Sequence, residues 1–355
     1  MNKIDRYIIS HVALFVALVA FALIAVYSFV GFLSDMSDVG RGQFGVLQLI
    51  LYTFMMMPSG IYTLMPIIAM LGTLMGLGAL ATQSELTAMR ASGVSLLRIG
   101  GAVLTAGVAL GILGYVLGDW VAPSTERAAL EFRSKARDGI VPQRGALQSV
   151  WLRDGSNVFH IHQLLAKDHV SDVEIFSLAP DMSMTAAYRV QDGRYSDGHW
   201  AFTGIQKTTL TADAAQAESL PKMDWQASLS PDVLQLMLLE AQSLTMPGLL
   251  RLIGYLEENH LDAINYRIEM WRKLVAPVTV MSLMLFAIPF VLGNPRSSGA
   301  GQRLLIGILI GVGFYVMNEI SVNLGQVYQW TPFLSAATPT IMLSLVGLFR
   351  LSRVR

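Results

Sequence analysis

Apolar residues run in long blocks through both ends of the chain and give way between them to a polar, turn-rich stretch, roughly Ser124 to Tyr266. A bilayer core about 30 Å thick is crossed by about 20 mostly apolar residues in a helix. Six segments meet that length, at approximately Val12 to Leu33, Tyr52 to Ala81, Ile99 to Val121, Leu274 to Leu292, Leu304 to Leu324 and Pro332 to Leu348. The pattern predicts a membrane α-helical protein of six transmembrane helices with a large insert after the third. Its divisions fall at residues 1–123, 124–266 and 267–355. The first segment follows Lys3 and Arg6 like a signal peptide, but its apolar run is too long and no small-residue cleavage pattern follows, so it reads as a retained span.

Within the insert the period shortens to that of strands. Leu147 to Leu152 and Val158 to Leu164 flank Asp154-Gly155, a tight-hairpin dipeptide because Gly tolerates positive φ. Val173 to Leu178, Ala187 to Val190, Trp200 to Ile205 and Thr208 to Thr211 continue the series, with Asp192-Gly193 and Asp197-Gly198 as further turn signals. Short strands at this spacing predict an all-β domain, a sandwich or open barrel. It is entered through a charged helical segment, Ser124 to Asp138, and left through Thr245 to Glu258. There Thr245 can cap, Pro247 suits the first turn, and Leu249, Leu252, Ile253 and Leu256 form one apolar stripe, read as a packing face.

Charge sets the orientation. Lys3, Arg6, Arg90, Arg98, Arg296, Arg303, Arg350, Arg353 and Arg355 fall on one side of the predicted spans, and outside the large insert only Arg41 falls on the other. By the positive-inside rule both termini are cytoplasmic and the β domain lies outside. The 14% charged and 53% hydrophobic composition fits a membrane protein, and the zero net charge argues against a nucleic-acid partner. With no cysteine there are no disulfides or thiolate metal sites.

The spans carry glycines four apart: Gly72 with Gly76, Gly107 with Gly111, Gly114 with Gly118, and Gly307 with Gly311. Such pairs let helix backbones approach closely, here most simply within one bundle. Pro58 and Pro66 predict local breaks in the second span. Catalytic chemistry is nearly absent. Gly299-Ala300-Gly301 lacks the lysine of a phosphate loop, so any ATP-driven work belongs to another chain. His160 and His162 share a strand face near Asp168 and His169, but an exposed strand face explains them without a metal, and none is expected. Asn318-Glu319 falls inside the fifth span, where an ionisable group is costly and usually functional unless hydrated near the interface.

Between spans two and three, about residues 84–97, Ser84 is a candidate cap and Gly93 a stop for a short amphipathic helix. It has Leu86 and Met89 on one side, with Glu85 and Arg90 beside them. Such a helix offers a grip to a soluble motor, with Glu85 available to a basic partner; a plain surface loop is the competing reading.

That segment, "SELTAMRASGVS" preceded by "GLGALATQ", resembles the YjgP/YjgQ permease family, the membrane subunits of the lipopolysaccharide exporter. "DRYI" at Asp5, "GDWVAP" at Gly118, "WLRDGSNVFHI" at Trp151 and "DAINYRIEMWRKLVAPVTV" at Asp262 extend the likeness over essentially the whole chain, toward its LptG branch rather than LptF. The resemblance implies a periplasmic β-jellyroll and partnership with an LptF paralogue, LptC and a cytoplasmic LptB ATPase dimer, which would use the ATP and Mg. It also implies extraction of lipopolysaccharide from the inner membrane and delivery to a periplasmic bridge, LptA. Relatives often carry lysines near the outer end of span one, where this chain has Gly31, Ser37 and Asp38. Arg41 and the Arg127, Arg133 and Arg137 group, just beyond span three, are left as the expected lipid-phosphate contacts. Two other classes remain in view: a membrane-anchored scaffold whose β domain binds a partner, and an ion-coupled transporter, for which buried carboxylates look too few.

Overall fold

The computed structural model of the protein describes residues 3–138, 150–166, 168–181, 183–210, 214–225, 230–237, 239–292 and 300–353. The chain divides into two compact units, residues 1–133 with 267–355, and 134–266.

The first unit is helical: α1 (Lys3–Asp35), α2 (Val46–Thr82), α3 (Glu85–Ala91), α4 (Leu96–Val116), α5 (Ala122–Asp138), α8 (Ile264–Leu292), α9 (Ala300–Val327) and α10 (Pro332–Arg353). A single π-turn, Leu117–Val121, joins α4 to α5, so the third span and the charged segment beyond it form one nearly continuous rod. Among the described residues six helices are long and apolar enough to cross a membrane, as expected. All four glycine pairs are spent inside the chain. A Cβ on Gly72 would lie 2.5 Å from Val16 Cα, and one on Gly76 3.1 Å from Val12 Cα, so α1 lies almost backbone to backbone on α2. Gly107 and Gly111 face Met281 and Pro277 of α8, Gly114 and Gly118 face Met65 and Tyr62, and Gly307 and Gly311 face Leu71 and Ile67. The expected breaks at Pro58 and Pro66 do not occur: α2 runs through both without interruption.

The second unit holds β1 (Val150–Asp154), β2 (Asn157–Ala166), β3 (His169–Leu178), β4 (Met184–Ser196), β5 (His199–Leu210) and β6 (Ala215–Trp225), with α6 (Pro231–Met237) and α7 (Met246–Glu258). The six strands form one antiparallel sheet in sequential order. Side chains alternate across it, and directly opposed Ile161, Val173, Val190 and Ile205 make one fully buried row over four strands. Asp197 and Gly198 both take positive φ in the β4–β5 turn, as their pairing predicts. Asp192-Gly193 is not a turn but lies inside β4. Gly193 is there because the Phe202 ring lies over it, 2.6 Å from where a Cβ would stand. Trp200 to Ile205 and Thr208 to Leu210 are one strand rather than two, passing through Gly204 at φ +66°. The starting residues 147–149 and Thr211 lie outside the described residues.

Thr245 caps α7 as expected, its Oγ1 accepting from Gly248 N at 3.3 Å. Leu249, Leu252, Ile253 and Leu256 are buried, so the stripe is a packing face. Two hydrogen bonds tie α7 and its end to the first hairpin: Tyr255 Oη donates to the Arg153 carbonyl, and Asn259 Oδ1 accepts from Gly155 N, both at 3.0 Å. Burial, reinforced by nearby Asp154, pushes the Tyr255 phenol up to about 12, so it remains a donor.

Candidate functional site

At the end of the helical unit where α1 begins, α3 is a helix of two turns fixed by its neighbours. Ser84 does not cap it through its side chain; it takes the left-handed conformation at φ 61° and turns the chain from α2 into α3. Gly93, at φ +90°, stops it, and Ser95 then caps α4 through Arg98 N. The helix ends at Ala91, just before Gly93, and the 84–97 segment closes with the first residues of α4. Leu86 is buried in this chain's own core and Met89 packs against it. Their face is used internally, and what α3 exposes is Thr87, Ala88, Arg90 and Ala91, with Glu85 half-buried at the edge. Glu85 Oε2 accepts a hydrogen bond from Tyr7 Oη at 2.8 Å, and Asp5 pairs with Arg98 at 3.0 Å nearby. Leu97, in the first turn of α4, is 80% exposed. On the same unit Arg303 reaches the last turn of α2, donating to the Gly78 carbonyl at 2.6 Å and to Thr82 Oγ1 at 3.1 Å, where a cation complements the helix dipole. The Arg296 charge and the Gly299 turn lie outside the described residues.

At the other end of α1 two of the expected cations, Arg133 and Arg41, gather around two aspartates. Arg133 on α5 pairs with Asp35 at 2.9 Å and Asp38 at 2.5 Å, and donates to Tyr52 Oη at 3.2 Å with its guanidinium over that ring. Arg41 pairs with the other oxygen of Asp38 at 2.9 Å while staying 62% exposed. Asp38, expected only as a missing lysine, is the hub of the cluster and is buried. Arg127 and Arg137 lie on the same helix, and Ser59 bridges from α2 to Glu126. An open groove lined by Tyr27, Gly31, Asp35, Tyr52 and Met56 runs beside these carboxylates.

Glu319 is not an isolated charge within α9. It accepts from Arg272 of α8 at 3.2 Å, and Arg272 also holds Glu269 at 2.8 Å. Asn318 beside it is half-buried. Next to Arg272 in α8 begins a pair the charge pattern did not single out: Lys273 and Asp119, both almost fully buried, with Lys273 Nζ donating to the Gly118 carbonyl at 2.9 Å and standing 3.5 Å from Asp119. The π-turn supplies the reason, since its widened ring frees a carbonyl that the lysine then satisfies. The signal was present as "GDWVAP" and "WRKLVAP", each with an ionisable residue among apolar neighbours.

On the sheet, His160 and His162 do share a face, but His169 is drawn to Asp192 at 2.5 Å instead. Glu174, opposite His160 on β3, completes their group: Oε2 lies 3.2 Å from His160 Nδ1 and 3.5 Å from His162 Nε2. The hydrogen bond from His160 holds the Glu174 carboxyl below the usual range, against a smaller opposing effect of burial.

The sequence pattern of the family described as lipopolysaccharide export system permease LptF/LptG matches residues 6–353. The chain belongs to that family. It is 30% identical to the LptG permease protein of Haemophilus influenzae over 100% of this chain and 99% of the relative. Identity is 28% to LptG of Escherichia coli K12, covering 99% and 98%. The LptF permease of the same strain is more distant, at 24% over 84% and 82%. As a member of this permease family the chain is a multi-pass inner-membrane transport subunit and not itself an enzyme, and a scaffold role is not favoured.

Proposed function

We propose that this chain is the LptG-type half of a lipopolysaccharide exporter, paired with an LptF-type permease and driven by a cytoplasmic LptB-type ATPase dimer that uses ATP and Mg. LptC and the bridge protein LptA are its periplasmic partners, and both termini face the cytoplasm. The observation that carries this reading is the match along residues 6–353, stronger to LptG than to LptF relatives. The bundle supports it. The first and fifth candidate spans are the least covered by their own chain, 17% and 28% buried against 67% for the second. Faces so apolar and so bare, with Phe21 79% exposed, suit lipid and a second permease flanking a lateral opening.

In this reading Arg90, Glu85 and the exposed Leu97 present the ATPase contact, while Leu86 and Met89 brace the helix from behind. Glu319, Asn318 and Arg272 steady the fifth span against the fourth. Arg41, the most accessible cation beside the Asp38 hub, leads the lipid-phosphate contacts, with Arg127, Arg133 and Arg137 along α5. The test is affinity purification of the chain from membranes that contain its partners. The wild-type chain brings a paralogous permease and an ATPase. Glu85→Lys keeps the permease and loses most of the ATPase, because reversing a charge in a docked pair costs about 2–5 kcal/mol; Glu85→Ala is milder. Recovery without any ATPase would contradict the reading, and equal recovery by Glu85→Lys would remove α3 from the interface.

A further inference from the structure

One face of the sheet carries a three-donor constellation, His160, His162 and Glu174, apart from the groups given a transport role above. His160 and His162 alternate on β2, so both rings stand on one face, with centroids 3.9 Å apart. Glu174 is the residue directly opposite His160 on β3 and diagonal to His162, which places one carboxylate oxygen between two imidazoles. The three donor atoms lie within 4.8 Å of one another.

The two carboxylate-to-imidazole separations match the edges of a metal polyhedron. With metal–nitrogen and metal–oxygen bonds of about 2.0–2.2 Å, the edges of a tetrahedron are about 3.3–3.6 Å. The carboxylate oxygen stands 3.2 and 3.5 Å from the two imidazole nitrogens, so the metal fits with small side-chain rotations. Nitrogen donors with a single carboxylate select a borderline transition ion over Ca²⁺ or Mg²⁺, which take all-oxygen shells. The first ligand is already positioned: Trp151, opposite His160 on β1, stacks on its ring at 4.0 Å and 9°. His160 Nε2 is buried with no hydrogen-bond partner among the described residues, so a metal engages the ring through Nδ1, the nitrogen turned to Glu174. His162 and Glu174 keep about a third of their side-chain surface exposed, leaving an approach and an open fourth position for water or a ligand from another protein. A competing cation, Arg189 opposite Glu174 on β4, is directed to Asp172 at 3.6 Å.

We propose that His160, His162 and Glu174 form a divalent transition-metal site, selective for zinc-like ions, that clips β2 to β3 on that face of the sheet. It does not depend on the transport reading.

The experiment uses the full-length chain in detergent, purified through a tag without histidines, and titrates it with Co²⁺ alone and then with Zn²⁺ as competitor. One equivalent of Co²⁺ is expected to produce an intense visible d–d band of tetrahedral type, abolished by Zn²⁺. His162→Ala and Glu174→Gln each weaken Zn²⁺ binding at least tenfold, while His169→Ala, in the other histidine pair, leaves it unchanged. A variant that fails to fold leaves the wild-type titration decisive. No Co²⁺ band in the wild type, a weak octahedral spectrum, or equal binding by folded His162→Ala and Glu174→Gln would each overturn the site.

Discussion

Arg133 holds three acceptors at once, and two of them come from the end of α1 and the turn after it, far away in sequence. Asp38 is nearly sealed from solvent, so its charge is tolerable only while Arg133 and Arg41 face it. Truncating Arg133 to Ala therefore lowers stability by about 1.5–3 kcal/mol, the range for hydrogen bonds to charged groups. In a double-mutant cycle, Arg133→Ala with Asp38→Ala yields a coupling energy of about 0.5–3 kcal/mol in thermal unfolding of the detergent-solubilised chain. Strictly additive losses would show that the pair contributes nothing and that Arg133 is available wholly to lipid. The arginine stood out in the sequence as a cation just past an apolar run; its partners did not, because a single chain does not show which distant carboxylate will be folded against it. Glu174 escaped notice for the same reason. The alternation of His160 and His162 is local, whereas the residue opposite them is set by strand register. Thr245, whose cap depends on residues three positions away, was fully legible.

At the level of elements, glycine spacing decides how closely helices meet. A methyl at Gly72 would strike the Val16 backbone, which cannot rotate aside, whereas Gly101 has nothing within 4 Å of the same position. Gly72→Ala is expected to cost about 1–3 kcal/mol by overpacking. Gly101→Ala should be neutral or slightly stabilising through helix propensity, within about 1 kcal/mol. Thermal unfolding followed by size exclusion separates the two, and equal midpoints would mean that α1 and α2 are not in close contact. The spans were legible because length and hydropathy are local. The last strand was not: β6 is polar along most of its length and contains Pro221, the composition of a sheet edge exposed to water, and it emits almost no period-2 signal. Asp192-Gly193 misled in the opposite sense, since a glycine that admits a ring looks the same in sequence as one that turns the chain.

For the whole molecule, the 3 + insert + 3 layout followed from the alternation of apolar and polar blocks, and the family match agrees with it from residue 6 to residue 353. What the layout leaves open is which bare faces meet a second permease, because a surface facing lipid and one facing another apolar helix have the same composition. In the proposed reading the least-covered spans, one and five, take that role. The direct test is reconstitution: lipopolysaccharide-loaded proteoliposomes containing this chain, its paralogous permease, the LptC-type subunit and the ATPase, with a soluble LptA-type acceptor outside. The account predicts that ATP drives lipopolysaccharide onto the acceptor and that omitting this chain abolishes transfer. ATP-dependent transfer that persists without the chain would contradict it.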